Sequence, residues 1–307
     1  MLQNRKLKSK VVLPMAIPYH ALIYPEIRRS DRAFPERRES PSFVVIAHRG
    51  ASACCPENTL SAFQTAMDMK ADMVELDVQL TADREIVVFH DENLSRCTDG
   101  RGRVSDHSFA RLRELDAGAW FHKKFAGERI PALAEVLALC RGRIAVNIEV
   151  KTEAVTDAVS GGIEERCLKM VDQTGMRGHV VYSSFDSRAV LHFKQIDREV
   201  PVAVLYEKKR HGSHLPSEIV RCLGADAFNC SRRELSAKRL EDLKRSGIPV
   251  HVYTVNDEKS MRRLLDLGVD GIFTNRPDVL RRVWEDDCRK KREAGAKDWW
   301  MVDRRKK

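Results

Sequence analysis

From Phe43 onward, short apolar runs alternate with longer stretches whose apolar positions recur every three or four residues. The runs at 43–48, 73–78, 144–149, 178–183, 201–205, 226–229, 249–254 and 270–273 read as strands, being short, continuous and mostly rich in Val and Ile. The stretches at 58–70, 131–140, 157–173, 186–196, 216–223, 236–246 and 257–267 read as helices, and 277–287 as an eighth after the last strand. Strand alternating with helix predicts a parallel sheet. Eight such units over about 245 residues predict a closed (β/α)8 TIM barrel. An open, doubly wound sheet is the alternative, because the run at 226–229 is weakly apolar.

One interval breaks this rhythm. About 50 residues separate the second strand from the helix that starts near Pro131, too many for an ordinary strand-to-helix loop. They contain a further strand-like run, Ile86-Val87-Val88-Phe89-His90-Asp91, followed by two glycine-bearing segments, 98–102 and 115–120. The interval from about 80 to 130 therefore reads as a small insertion after strand two. It falls above the barrel mouth, where loops of this kind build active sites.

The two ends differ from the middle. Residues 1–42 lack clean periodicity, hold five prolines and carry a net charge of +5; residues 288–307 carry +6. The whole chain is +9, so residues 43–287 come to −2. The division is thus a basic, poorly ordered extension (1–42), a near-neutral barrel (43–287) and a basic tail (288–307). Basic ends can touch nucleic acid or anionic membranes, but charge runs of this kind are mostly solvated, and no specific nucleic-acid partner is expected. No run approaches the roughly 18 apolar residues of a membrane span. The segment 11–18 is short and broken by two prolines, unlike an export signal. Eight scattered cysteines without a CxxC or Cys/His spacing argue against zinc. They fit a reducing, cytoplasmic compartment. The pattern leaves oligomeric state open.

Chemistry collects at the ends of the early strands. The first ends in Ala47-His48-Arg49-Gly50, a proton-transfer group beside a fixed cation. The second carries Glu75 and Asp77, which share one face because side chains repeat every two residues. On the next barrel strand Asn147, Glu149 and Lys151 share a face in the same way. Carboxylates pointing into a barrel are costly unless paired or metal-bound. Glu75, Asp77 and Glu149 can hold one hard divalent cation, Mg²⁺ or Ca²⁺ given all-oxygen ligation, or form salt bridges with Arg49 and Lys151. His48 and His90 read as an acid–base pair. Arg49 offers a planar fork for a phosphate, or a partner for Glu57 or Asp77. Lys151 is a second phosphate contact or the charge balance for Glu149.

His48-Arg49-Gly50, Pro56-Glu57-Asn58-Thr59, Glu75-Leu76-Asp77-Val78 and Val88-Phe89-His90-Asp91 resemble, in order and spacing, the glycerophosphodiester phosphodiesterase family. Asn147-Ile148-Glu149-Val150-Lys151, Ser183-Ser184-Phe185 and Asp270-Gly271-Ile272-Phe273-Thr274-Asn275 extend the match over roughly 43–285. The resemblance implies a barrel with a short insertion after strand two and a divalent metal at Glu75, Asp77 and Glu149. It implies His48 and His90 as catalysts, and Arg49 and Lys151 on the phosphate. The expected reaction is metal-dependent hydrolysis of small-molecule glycerophosphodiesters to glycerol 3-phosphate and an alcohol. Lysophospholipase D action on acylated substrates and an inactive phosphate-binding barrel are the alternatives. One departure stands out: Tyr253-Thr254-Val255-Asn256 has Tyr where the family has Trp, which adds a hydroxyl to an aromatic wall.

Overall fold

The computed structural model describes residues 43–293; the N-terminal extension and the last part of the basic tail lie outside the described residues. Nine strands form one sheet: β1 Val44–His48, β2 Met73–Leu80, β3 Ile86–Val88, β4 Ala145–Val150, β5 Val180–Ser184, β6 Val202–Tyr206, β7 Ala227–Ser231, β8 Val250–Tyr253 and β9 Gly271–Thr274. Eight of them run parallel in the order β1-β9-β8-β7-β6-β5-β4-β2, and β1 pairs with β2 to close the ring. Closure excludes the open sheet. The weakly apolar run is a full barrel strand, β7, with both neighbours paired in register.

The long helices are α1 Leu60–Asp68, α2 Leu133–Cys140, α3 Ile163–Gln173, α4 Ser187–Ile196, α5 Pro216–Leu223, α6 Ala237–Ser246, α7 Glu258–Leu267 and α8 Pro277–Glu293. Their starts follow capping chemistry. The side chains of Thr59, Asp186, Ser236 and Asp257 each accept a backbone N–H from the first turn. Two helix boundaries differ from the periodicity by more than two residues. Helix α3 begins at Ile163 rather than 157, because Gly161 takes a positive φ of 73° and Gly162 stays extended. Helix α8 continues six residues past 287, so the basic run Arg289–Arg292 is helical.

The strand faces explain where the site lies. One face of the strands packs against the helices in a large apolar layer. The other encloses a smaller cluster of Val44, Ile46, Met73, Ala145, Val181, Ala203, Ala227 and Phe273. With a period of two, Val44 and Ile46 lead to His48, Met73 leads to Glu75 and Asp77, and Ala145 leads to Asn147 and Glu149. The barrel interior therefore changes from apolar to charged along the strand direction, and the charge is at the C-terminal mouth.

Strand β3 is not a barrel strand. It pairs antiparallel with the outer end of β2, Val78 opposite Val88 and Leu80 opposite Ile86. The expected strand through Asp91 stops at Val88, and His90 lies in the loop beyond it. The rest of the insertion packs on its own small core of Val87, Phe89, Leu94, Val104, Leu112 and Ile130, among others.

Candidate active site

The β2–β4 ladder places Asp77 opposite Glu149 and Glu75 opposite Asn147, and the β1–β2 ladder places His48 opposite Glu75. One carboxylate oxygen from each of Glu75, Asp77 and Glu149 lies within 4.8 Å of the other two. Glu75 and Asp77 are 2% and 1% exposed. Glu75 Oε1 and Asp77 Oδ1 are buried without a hydrogen-bond partner. Buried oxygens are ordinarily satisfied. Three convergent carboxylates with such atoms could hold a hard divalent cation.

The electrostatics agree. Burial, then the Asp77 and Glu149 charges, pushes Glu75 well above the usual carboxylate range. Burial also raises Glu149, against the pull of Lys151. Asp77 goes the other way: burial opposes its charge, but Lys151, Arg49, His90 and Asn58 together outweigh it. Without a cation the cluster thus favours a proton on Glu75 or Glu149 over three full charges.

Arg49 and Lys151 meet the carboxylates directly. Arg49 Nη1 donates to Glu57 Oε1 at 2.8 Å and its Nε lies 3.3 Å from Asp77 Oδ2. Its backbone N–H donates to Glu75 Oε2 at 2.9 Å. Lys151 Nζ donates to Glu149 Oε1 at 2.9 Å and lies 3.4 Å from Asp77 Oδ1. The salt-bridge role that the sequence left open is therefore present for both cations. Arg49 holds a φ of 56°, uncommon for a residue with a Cβ. The next residue leaves no room for a side chain, since a Cβ on Gly50 would stand 2.6 Å from the Ala62 backbone.

The two histidines are held differently. His48 Nδ1 is 2.7 Å from Asn275 Oδ1, so Nδ1 donates and Nε2 is left as the acceptor. Burial, then the neighbouring Arg49 charge, lowers His48 to about 4, so its ring is neutral at pH 7. His90 Nδ1 is 2.5 Å from Asp91 Oδ1. The Phe89 N–H donates to the Asp77 carbonyl at 2.9 Å, which brings the His90 loop alongside the carboxylates. His90 Nδ1 thus meets a carboxylate, whereas His48 Nδ1 meets a neutral amide.

All seven expected site residues stand at one end of the barrel. Four partners lay outside the expected set. Asn58, at a φ of 58°, donates to Asp77 Oδ2 at 2.9 Å. Gln79 donates to the carbonyls of Phe89 and Asp91 at 2.9 and 2.8 Å. Arg96 joins Glu57, at 2.7 and 3.0 Å, to Asp91, at 2.5 and 2.9 Å. Asn275 completes the set. Asn58 and Asn275 lie inside motifs that the sequence displayed, and Gln79 continues the face of Glu75 and Asp77. Arg96 carried no signal beyond its charge. The added hydroxyl of Tyr253 donates to the Tyr206 carbonyl at 2.7 Å. It is therefore turned to the backbone, while the ring meets Phe185 edge-on at 5.9 Å. Trp120 is 39% exposed, stacks edge-on with Phe121 and donates its indole N–H to Ala117.

Comparison with known proteins places this arrangement. Residues 48–279 match the model of the Glycerophosphoryl diester phosphodiesterase family. The chain is 37% identical over 238 residues to a glycerophosphodiester phosphodiesterase of Caldanaerobacter subterraneus, covering 77% of this chain and 96% of that one. It is 34% identical over 256 residues to one of Bacillus subtilis, covering 78% and 86%. Among solved structures it resembles a glycerophosphodiester phosphodiesterase from Agrobacterium tumefaciens, with a TM-score of 0.67 and 30% identity over 78% of this chain and 98% of that one. An Oleispira antarctica phosphodiesterase in complex with the product sn-glycerol-3-phosphate gives a TM-score of 0.71 at 27% identity, covering 78% and 96%. The chain belongs to the glycerophosphoryl diester phosphodiesterase family and is a phosphoric diester hydrolase.

Proposed function

We propose that this chain hydrolyses glycerophosphodiesters to glycerol 3-phosphate and an alcohol, with one divalent cation, Mg²⁺ or Ca²⁺, held by Glu75, Asp77 and Glu149. The observation that carries the reading is the trio of convergent carboxylates, in which the buried Glu75 Oε1 and Asp77 Oδ1 accept no hydrogen bond. A bound cation supplies charge stabilisation at the phosphoryl oxygens and acidifies a coordinated hydroxyl or water. Arg49 and Lys151 orient the phosphate and neutralise its charge, their existing contacts to Asp77 and Glu149 holding them toward the same spot.

His48, neutral with Nε2 as acceptor, takes the proton from the nucleophile, either water or a substrate hydroxyl that gives a cyclic phosphate first. His90, backed by Asp91, gives a proton to the departing alkoxide. Small soluble diesters are the expected substrates, ahead of acylated ones. The eight unpaired cysteines fit a reducing, cytoplasmic setting. No described helix is long and apolar enough to cross a membrane.

The test is a panel of glycerophosphocholine, glycerophosphoethanolamine and lysophosphatidylcholine, each with Mg²⁺, with Ca²⁺ and with EDTA. Hydrolysis of the soluble diesters that stops with EDTA and returns with either cation is expected. Full activity in EDTA would overturn the metal assignment. Equal or faster turnover of lysophosphatidylcholine would move the substrate to the acylated class.

A further inference from the structure

Strand β2 outruns its barrel partners. Its inward face continues from Glu75 and Asp77 to Gln79, which is 4% exposed. The first two side chains are carboxyl groups directed at the candidate cation site. The third is a carboxamide, and it is spent on a loop. Gln79 Nε2 donates to the Phe89 carbonyl at 2.9 Å and to the Asp91 carbonyl at 2.8 Å. These carbonyls belong to the residues on either side of His90. The two hydrogens of one amide therefore bracket the histidine.

The backbone gives the reason such a clamp is needed. The β2–β3 ladder ends at Val78 and Val88, and the chain then leaves strand geometry. Beyond that point the Phe89 N–H still reaches the Asp77 carbonyl. The carbonyls of 89 and 91 are taken up by a side chain instead of a strand. Only a donor fits there: a glutamate at 79 would set carboxylate oxygens against two carbonyl oxygens and add an anion beside the cluster. We infer that Gln79 is a positioning residue for catalysis, fixing the ring of His90 relative to the carboxylates that precede it on the same strand. This rests on the reading of His90 as the general acid. Gln79 touches neither phosphate nor leaving group and acts through the loop.

The decisive variant is Gln79→Met, which keeps the length and removes both donors. With Mg²⁺ present, kcat on glycerophosphocholine is expected to fall roughly 10- to 100-fold, the size seen when an outer partner of a working side chain is removed. KM and Mg²⁺ affinity should change less than about three-fold, since Arg49, Lys151 and the carboxylates keep their own contacts. The loss should shrink to within a few-fold on a nitrophenyl phosphodiester, whose leaving group departs without a proton. In a His90→Ala background Gln79→Met should cost nothing further. A lesion that merely lowered the folded fraction would reduce all substrates equally and add to His90→Ala. Gln79→Asn, which keeps the amide but draws it back by one methylene, carries the same test if the Met variant does not fold. Unchanged kcat in the folded variant, an equal loss on both leaving groups, or additivity with His90→Ala would each overturn the inference while His90→Ala itself stays impaired. A fully active His90→Ala would instead remove the reading beneath it, and the inference with it.

Discussion

His48 and His90 reach the same site by different means. His48 ends a barrel strand, with β2 and β9 paired on its two sides. Its Nδ1 partner is the neutral amide of Asn275. His90 follows a three-residue strand attached outside the ring, and its position depends on side chains: Gln79 on the backbone, Asp91 on the ring and Arg96 on Asp91. The first histidine inherits its place from the sheet, whereas the second is set by polar contacts added to it. A barrel supplies fixed strand ends cheaply, but a catalyst on an insertion needs a dedicated frame.

The strongest way to test that contrast is to remove each ring. His48→Ala and His90→Ala should each lose about 10²- to 10⁴-fold in kcat on glycerophosphocholine. On a nitrophenyl phosphodiester only His90→Ala should recover most of its rate, because nucleophile activation is still required. Steady-state rates on the two substrates, with metal binding verified, measure this; equal recovery in both variants would erase the distinction.

A smaller effect is expected from the partners. Asp91→Asn keeps the shape of the His90 contact but removes its charge, and should cost roughly 10- to 100-fold in kcat on alkyl diesters. Asn275→Ala leaves His48 on a strand end and should cost less, about ten-fold at most. A larger loss in Asn275→Ala would show that the sheet does not hold His48 unaided.

Smaller again is the response to salt. The Glu57–Arg96–Asp91 bridge joins the loop after β1 to the loop after β3, and the Arg96 side chain is 45% exposed. Exposed ion pairs are screened. Raising the salt from 0.05 to 0.5 M should lower wild-type kcat on alkyl diesters about two- to three-fold more than that of Arg96→Met, which has no bridge to screen. Parallel salt curves would assign Arg96 no part in holding His90.

The smallest expected effect concerns the carboxylates between the two histidines. In EDTA, Glu75 binds its proton more tightly folded than unfolded. Its contribution is present at low pH and lost as pH rises through the elevated folded value. As pH rises above the ordinary carboxylate range the metal-free enzyme should therefore lose Tm, roughly 2–4 °C for each kcal/mol of stability lost. Glu75→Gln should flatten that slope. Starting well above pH 6.5 avoids His48, whose lowered value acts in the opposite sense, removing stability as pH falls from its unfolded value toward about 4. An unchanged slope in Glu75→Gln would locate the strain elsewhere.

Much of this was visible in the residues themselves. Apolar runs at fixed spacing predict the barrel, and the period of two places Glu75, Asp77 and Glu149 on inward faces, because both are local properties of a strand. The ladder extent was less legible. Ile86–Asp91 is uniformly apolar up to His90, yet pairing ends at Val88, where β2 itself leaves the ring. Helix α3 shows the same limit, since its periodicity runs back through two glycines that break it. Arg96 was invisible because its role depends on Glu57, 39 residues earlier, being folded beside Asp91. Gln79 was legible as a face but not as a clamp, since a neutral amide announces no partner.

The bond between His48 and Asn275 spans 227 residues, nearly the whole barrel, and it joins the first strand to the turn after the last. A growing chain therefore exposes the His-Arg-Gly corner long before the acceptor for its ring has been synthesised. Products of premature termination carry both histidines and all three carboxylates but lack the oxygen that fixes the His48 tautomer and the strand that flanks it. Closure of the ring and orientation of the His48 side chain thus both wait on the last strand and the turn after it.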